Sequence, residues 1–475
     1  MSSDFRTHSR SLLQSARYIA AKKELLQAIA EASAQVHQIK PSHSEDIRKQ
    51  YLNTIQEFQK DRGRELYYSF LSSGLGSGPF VELEDGSVKY DMITGIGVNF
   101  FGHSNPKLMN EMLDGISSDV YQGNLQPGHE AAELLKVLLP KVGAGCRLKH
   151  GWLTTCGTMA NEIALKIIRQ KNAPATKILA FQDCFAGRST AMQEITDNPK
   201  YREGQPVYGE VYYLPFYNSK LGLSGSIDAT LGRMKEYVTR YPGKFAAVMI
   251  ELVQGEGGFN FAPREYYVRV FEEAKKAALA IWIDEIQTFG RTGELFAYQK
   301  LELNEYVDVV TAAKMLQAAV VLYTPEYNPK AGLVAGTFTG TSIGLRAARK
   351  ALEILDQEGY LGKEGKIEKL SSRFAKNLTR MAEGSCRGML GEWRNIGGMV
   401  ALTPFDGTMD DVKAVLMKLY DLGLVAFYCG HGPYLIRMLP PLGAMVDGDV
   451  DKVCELIETA LSQVAEQRKI AQGKK

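Results

Sequence analysis

FAAVMIELVQGEGG (residues 245–258), AIWIDEIQTFGRTG (280–293) and VDVVTAAK (307–314) are three apolar runs, and each closes on polar groups. The first ends in Glu251 to Glu256, the second in Asp284 to Gln287, and the third in Lys314. Val- and Ile-rich runs of this length, without alternation, suit strands buried on both faces of a parallel sheet that helices cover. Ligands of such sheets sit beyond the carboxyl ends of the strands, so the charged groups should converge there. Two carboxylates, an amide and a lysine brought into one buried cleft call for a function, because an unpaired buried charge is strongly unfavourable. Any one of the three polar segments alone reads as readily as a surface loop.

The chain around this stretch has 475 residues. That is enough for two or more lobes, since single cores stop growing at roughly 250 to 300 residues. Hydrophobic residues make up 45% and charged residues 23%, the balance of a globular protein. A formal charge of +2 offers no electrostatic case for nucleic acid or an anionic membrane. No basic segment leads into an apolar leader, and no apolar run has the length of a membrane span. The expectation is a cytoplasmic protein with no nucleic-acid or membrane partner. Six scattered cysteines without a Cys-x-x-Cys pair suggest reduced thiols rather than a zinc site or a disulfide framework. Seven dispersed histidines assign no metal.

Residues 1–65 form a polar, helix-prone extension, which Pro41 should break before a second helix from about Glu45. Phe80 to Asp91 alternates around an Asp-Gly turn, a hairpin signal. In GWLTTCGTMANEIALKIIRQ (151–170) a β-prone run meets Cys156-Gly157-Thr158, and a helix follows whose Ile163, Ala164, Ile167 and Ile168 share a face. A turn of this kind presents free backbone N–H groups and the positive end of the helix dipole, an anion site suited to phosphate. Most strand-to-helix turns bind nothing, so the turn alone is weak.

The order and spacing of these elements resemble the class III (ω-amino acid) aminotransferases, of the fold type I pyridoxal-phosphate group, over about residues 80 to 440. The family's Glu-Pro-x-Gln-Gly-Glu-Gly-Gly turn is matched by Glu251-Leu-Val-Gln-Gly-Glu256-Gly-Gly. Its Asp-Glu-x-Gln-x-Gly-x-x-Arg-x-Gly is matched by Asp284-Glu-Ile-Gln287-Thr-Phe-Gly-Arg-Thr-Gly, and its lysine by Lys314. Gly-His-x-x-Pro appears as Gly102-His103-Ser-Asn-Pro106, with no catalytic role given to His103. The family's Ile-Arg-x-x-Pro-Pro-Leu appears around Arg437 as IRMLPPL. Departures stand at Cys156, Met159, Ala186, Leu252, Thr341 and Ser342. The stretch after Lys314 lacks the usual glycine-rich turn and is similar to the lysine ε-aminotransferase branch at least as much as to the ornithine or 4-aminobutyrate branches.

The resemblance implies an α/β fold type I pyridoxal-phosphate transferase. A large domain with a mostly parallel seven-stranded sheet would span 105–344, and a smaller α+β domain would combine 66–104 with 345–475. Lys314 would hold pyridoxal 5'-phosphate as a Schiff base and then move protons as general acid and base. Asp284 would keep the pyridine nitrogen protonated, so that the ring serves as an electron sink. Gln287 would bond the phenolic oxygen and Glu251 would support that network. Phe185 would stack on the ring, while Gly157 and Thr158, with Thr337 from the other subunit of a homodimer, would hold the phosphate.

Three residues are implied for substrate. Arg188 and Arg437 would clamp carboxylates through bidentate forks. Glu256 would neutralise Arg437 whenever a distal amine brings no carboxylate, since an uncompensated buried arginine is costly. The expected reaction moves an amino group from an ω-amino acid or diamine-like donor (lysine, ornithine, acetylornithine or 4-aminobutyrate type) to 2-oxoglutarate. A same-fold aminomutase, racemase or decarboxylase is the alternative. Arg437 and Glu256 speak against the mutase. A non-catalytic scaffold is disfavoured by Lys314, Asp284 and Gln287 standing together.

Overall fold

The computed structural model describes residues 7–472. Seven strands build the central sheet: β1 (His150–Thr154), β2 (Lys177–Phe181), β3 (Val211–Leu214), β4 (Phe245–Ile250), β5 (Ala280–Asp284), β6 (Val309–Ala312) and β7 (Ala319–Tyr323). Their spatial order is β1-β7-β6-β5-β4-β2-β3. The strands from β6 through β5, β4 and β2 to β3 pair in parallel, while β7 runs antiparallel to both β6 and β1. The sheet is therefore the mostly parallel one that the apolar runs imply. Every residue of β4, β5, β6 and β7 is buried, which explains why these strands read as continuous apolar runs.

Helices close both sides of this layer. Helix α1 (Gly157–Lys171) buries Ala160, Ile163, Ala164, Ile167 and Ile168. These join one core cluster with Ile178, Ala180, Met249, Trp282 and Val321 of the sheet. Helix α2 is Gly222–Arg240, α3 is Arg264–Lys276 and α4 is Ser342–Gln357. The α3 helix buries Tyr266, Tyr267, Val270, Phe271 and Ala274 along one stripe, as an amphipathic cover of a sheet requires. Because β2, β4, β5 and β6 run the same way, the polar residues that follow them all emerge at one edge of the sheet.

The described chain divides into two compact units, one within Met1–Val120, Lys369–Tyr428 and Pro433–Lys475, the other Tyr121–Glu368 with Cys429–Gly432. The resemblance places the divisions at 104/105 and 344/345; by contacts they fall at 120/121 and 368/369. Residues 106–116 form a helix tied to the N-terminal segment, where Tyr18 and Lys22 bond Asp114 at 3.0 and 2.6 Å. Helix α4 stays with the sheet unit, where Arg346 meets Glu130 at 3.0 Å. Both elements follow side-chain pairs that no local pattern reveals.

In the first unit the N-terminal extension is two long helices, Ala16–Ser33 and Glu45–Arg62, capped by Ser15 and Ser44. The break at Pro41 and the start at Glu45 agree with the sequence. The second helix sends Tyr51 and Ile55 into a core with Leu83, Tyr420 and Val425, so this part of the extension is built into its own unit. Phe80–Leu83 and Val88–Asp91 form the expected hairpin around Gly86.

One buried carboxylate sets the start of the central strands. Asp308 accepts from the Ile281 N–H (2.8 Å), Lys275 (2.6 Å) and Arg147 (2.6 Å). The two cations are partly exposed and screened, so the buried Ile281 N–H carries most of the value. Asp308→Ala should lower unfolding free energy by about 2 kcal/mol, the cost of one orphaned buried donor. A chemical-denaturation midpoint equal to wild type would contradict this.

Candidate active site

Asp284 is the last residue of β5 and almost wholly buried. Its Oδ1 accepts from the Ile286 N–H at 2.8 Å, and its Oδ2 accepts from Asn161 Nδ2 at 2.7 Å. Burial raises its pKa to about 6, opposed by these two hydrogen bonds and by the charge of Lys314. Lys314 follows β6, the neighbouring strand, and has a left-handed backbone (φ 53°) at the start of a short 3-10 turn. A non-glycine residue in that conformation stores strain, which the rigid strands on both sides must hold.

Glu251 follows β4 on the other side of β5. Its Oε1 accepts from the Phe185 N–H (2.8 Å) and its Oε2 from the Gly255 N–H (2.9 Å). Burial, then the neighbouring Asp284 carboxylate, pushes it up to about 8 against the pull of the two N–H groups. Glu251 thus staples the turn bearing Phe185 to the Glu251–Gly258 turn. Gln287 packs tightly on that second turn, because a Cβ on Gly255 would lie 2.6 Å from its amide. Gln287 is 7% exposed, and its Oε1 has no hydrogen-bond partner among the described residues. The backbone around Phe185 is held again by Thr196, whose Oγ1 accepts from the Ala186 N–H and donates to the Gly187 carbonyl, both at 2.9 Å.

Gly157 and Thr158 open helix α1, and the residue before them, Cys156, contributes no side-chain cap. The first N–H groups of a 15-residue helix therefore face outward with the positive end of its dipole. A Cβ on Gly157 would stand 2.8 Å from Ile286, and one on Gly187 2.6 Å from Thr158 Oγ1. The start of α1 at Gly157 and Thr158, the Asp284 turn and the Phe185 turn are thus in mutual contact. The half-buried Phe185 ring meets Tyr201 edge-on at 6.2 Å between centroids.

The remaining expected residues lie as follows. Arg188 is exposed and rests its guanidinium over Tyr201, 4.0 Å from the ring centre. Thr337 is exposed on the loop before Gly340–Thr341, with its carbonyl packed against Gly123. Glu256 accepts from the Gly430 N–H through its backbone carbonyl at 2.8 Å. Arg437 belongs to the first unit, on Leu435–Met438, an inner strand of a four-stranded sheet. It is 1% exposed, with the guanidinium 5.8 Å from the Phe427 ring centre, so it does not point at water. Sequence reasoning passed over Asn161, Thr196 and the Ile286 N–H. Only Asn161 left a signal, a polar side chain on the otherwise apolar face of α1.

The arrangement fits an anionic, aromatic cofactor with a ring nitrogen, a phenolic oxygen and a phosphate. The Asp284 carboxylate is an acceptor for a protonated ring nitrogen, and the N–H groups at the uncapped start of α1 are donors for a phosphate. A model of the aminotransferase class-III family matches residues 68–461. The chain belongs to that family. An acetylornithine aminotransferase of Bacillus subtilis is 31% identical over 407 residues, 80% of this chain and 92% of its own. A diaminobutyrate–2-oxoglutarate transaminase of Nocardia farcinica is 28% identical, covering 82% of this chain and 88% of its own. Among solved structures, the lysine aminotransferase of M. tuberculosis superposes with a TM-score of 0.77 at 19% identity, over 86% of this chain and 99% of that one. The class-III protein is thus a pyridoxal-phosphate-dependent aminotransferase of fold type I, in agreement with the motifs around Glu251, Asp284 and Lys314.

The buried acids of this class-III enzyme give a stability test. Asp284, Glu285 and Glu251 keep their protons in the folded state up to about 6, 7 and 8. Unfolded carboxyls lose theirs near 4. Between those values the folded state binds more protons, so raising the pH favours the unfolded chain. The Tm of the cofactor-free protein should fall from pH 5 to pH 8, and in Glu251→Gln the fall should end near pH 7. A flat or rising profile would contradict the account.

Proposed function

We propose that this aminotransferase takes its amino group from a diamine-like or ω-amino donor of the lysine, ornithine, acetylornithine, diaminobutyrate or 4-aminobutyrate type and delivers it to 2-oxoglutarate. The observation that carries the site reading is the pair of adjacent strand ends: Lys314 after β6 and Asp284 at the end of β5, with Gln287 on the following turn. The donor class follows from the named activities of the relatives.

When bound, pyridoxal phosphate supplies an aldehyde to condense with amines and a ring that accepts the electron pair left when the substrate carbon loses a proton. The chain supplies the rest. Lys314 would be the amine that holds the aldehyde carbon and, when free, would take up the proton that the substrate carbon loses. Asp284 holds the ring nitrogen protonated and Gln287 donates to the phenolic oxygen. Phe185 fixes the ring plane; offset stacking adds about 0.5 to 1.5 kcal/mol beyond burial. The α1 N–H groups at Gly157 and Thr158 bind the phosphate, joined by Thr337 of a second copy. Arg437 receives the α-carboxylate of glutamate, Arg188 that of the other substrate, and Glu256 adjusts the site when the donor brings a distal amine.

The exposed Tyr121 (76%), Leu125 (94%) and Phe338 (46%), on chain flanking Thr337, support a homodimer with the active site at its interface. Scattered cysteines without a Cys-x-x-Cys pair support a cytoplasmic setting, and among the described residues no helix is long and apolar enough to cross a membrane.

Lys314→Ala should lower kcat/KM for transamination by at least about 10²- to 10⁴-fold, with loss of the visible band of the lysine-bound cofactor; a variant that keeps both would refute the assignment. A donor panel with 2-oxoglutarate, following glutamate formation and the keto product, tests the reaction class. Racemisation, decarboxylation or amino-group migration without glutamate would replace it. Glu256→Ala should change kcat/KM for the ω-amino donor and for glutamate unequally, and equal changes would remove its proposed role.

A further inference from the structure

Asn161 lies on the first turn of α1 and is fully buried. Its Nδ2 donates both of its protons, one to Asp284 Oδ2 at 2.7 Å and one to the Ala186 carbonyl at 2.8 Å. Both neighbours are acceptors, so the amide can face them only with its NH2 group. Its carbonyl, Oδ1, has no hydrogen-bond partner among the described residues. The side chain is thus held by its donors alone. A residue kept for packing would be apolar here, since Ala160, Ile163 and Ala164 around it are. A buried amide with an unsatisfied carbonyl costs stability, and its two donated bonds must return something else.

The positions of those two acceptors say what. Asp284 Oδ1 is already engaged by the Ile286 N–H. Asn161 engages Oδ2, so each carboxylate oxygen accepts one bond from a group that can only donate. Both donors stabilise the ionised carboxylate, so a third bond to a ring nitrogen is favoured with its proton on the nitrogen. The Ala186 carbonyl is the next peptide after Phe185, whose own N–H is fixed by Glu251. One NH2 group therefore spans the nitrogen partner and the stacking residue.

We infer that Asn161 is a positioning residue, which holds the Asp284 carboxylate and the Phe185–Ala186 turn at one fixed separation and presents Asp284 as a pure acceptor to the cofactor's ring nitrogen. The inference rests on the assignment of Asp284 to that nitrogen. It is distinct from the packing role that a helix residue at this depth would otherwise have, and a packing role would leave the protonation of the ring unchanged.

The test uses Asn161→Leu, which keeps the volume and removes both donors, and Asn161→Ser, which keeps a single short donor. Holoenzymes reconstituted with ring-15N pyridoxal phosphate report the protonation of the ring nitrogen by its chemical shift across pH, and titration of the cofactor-free proteins gives the affinity. In Asn161→Leu the ring nitrogen should lose its proton about one pH unit earlier and the affinity should fall about tenfold, the value of one charge-assisted bond. Asn161→Ser should lie between. If Asn161→Leu fails to fold, Asn161→Ser alone should still show a shift toward lower pH. Asp284→Asn serves as the reference, since it should deprotonate the ring throughout. A ring titration and affinity within twofold of wild type in the Asn161 variants, with Asp284→Asn altered as expected, would overturn the role of Asn161 alone. No effect in Asp284→Asn either would overturn the assignment of Asp284 and the inference with it.

Discussion

Asp284 and Glu251 stand at the ends of adjacent parallel strands with almost no access to water, and much of the site answers to that burial. Two carboxylates this close cannot both stay ionised in a medium of low dielectric unless donors are pointed at them. The chain supplies main-chain donors for both: Ile286 for Asp284, and Phe185 and Gly255 for Glu251. Main-chain N–H groups do not swing away, so the turns themselves become rigid. The acid with the weaker set of opposing charges, Glu251, is raised further, to about 8, and Asp284 only to about 6. At neutral pH a protonated Glu251 beside an ionised Asp284 leaves one negative charge in the pocket rather than two. One charge is what a single ring nitrogen can compensate.

Close backbone approach is the second condition, and glycine meets it where the turns touch. A Cβ on Gly290, which has a φ of 68°, would come 1.9 Å from Met315 Cε. Met315 directly follows Lys314, so the Asp284 and Lys314 turns are locked against each other. Gly255 and Gly157 do the same for Gln287 and Ile286. The strained φ of Lys314 is tolerable because its flanks, β6 before it and β7 after Ala318, are buried along their whole length.

The central strands, the apolar face of α1, the Phe80–Asp91 hairpin and the helix start at Glu45 were legible because each depends on a local period or a single turn signal. Lys314, Asp284, Glu251 and Gln287 were legible as a set because parallel strands place their carboxyl ends together. What the sequence could not carry is any pairing made by side chains distant in the chain. Asn161 and Ala186 are 25 residues apart and Asn161 and Asp284 123. The domain limits failed to show for the same reason, since Tyr18 with Asp114 and Arg346 with Glu130 decide which unit a helix joins. Arg437 reads as a substrate group from the resemblance alone, because strand order within a sheet, and so the burial of a strand residue, is not a local property.

The turn Phe185–Gly187 is where these constraints meet, and its geometry bears on how much of the site exists before any ligand arrives. Glu251 accepts from the Phe185 N–H, Thr196 accepts from the Ala186 N–H, Asn161 donates to the Ala186 carbonyl, and Thr196 also donates to the Gly187 carbonyl. Each of the holding groups is buried and belongs to a different part of the chain: a strand end, a helix start and the segment after Met192–Ile195. Ala186 replaces the large residue the family often carries here, which removes a side chain that could itself have fixed the turn. With main-chain clamps doing that work, the side chain at 186 is free to be small, and the space over the Phe185 ring is set by the backbone alone. Orientation secured in this way costs nothing at the moment of reaction, and it leaves residue 186 as a position where the pocket can vary in size without disturbing the Phe185 ring.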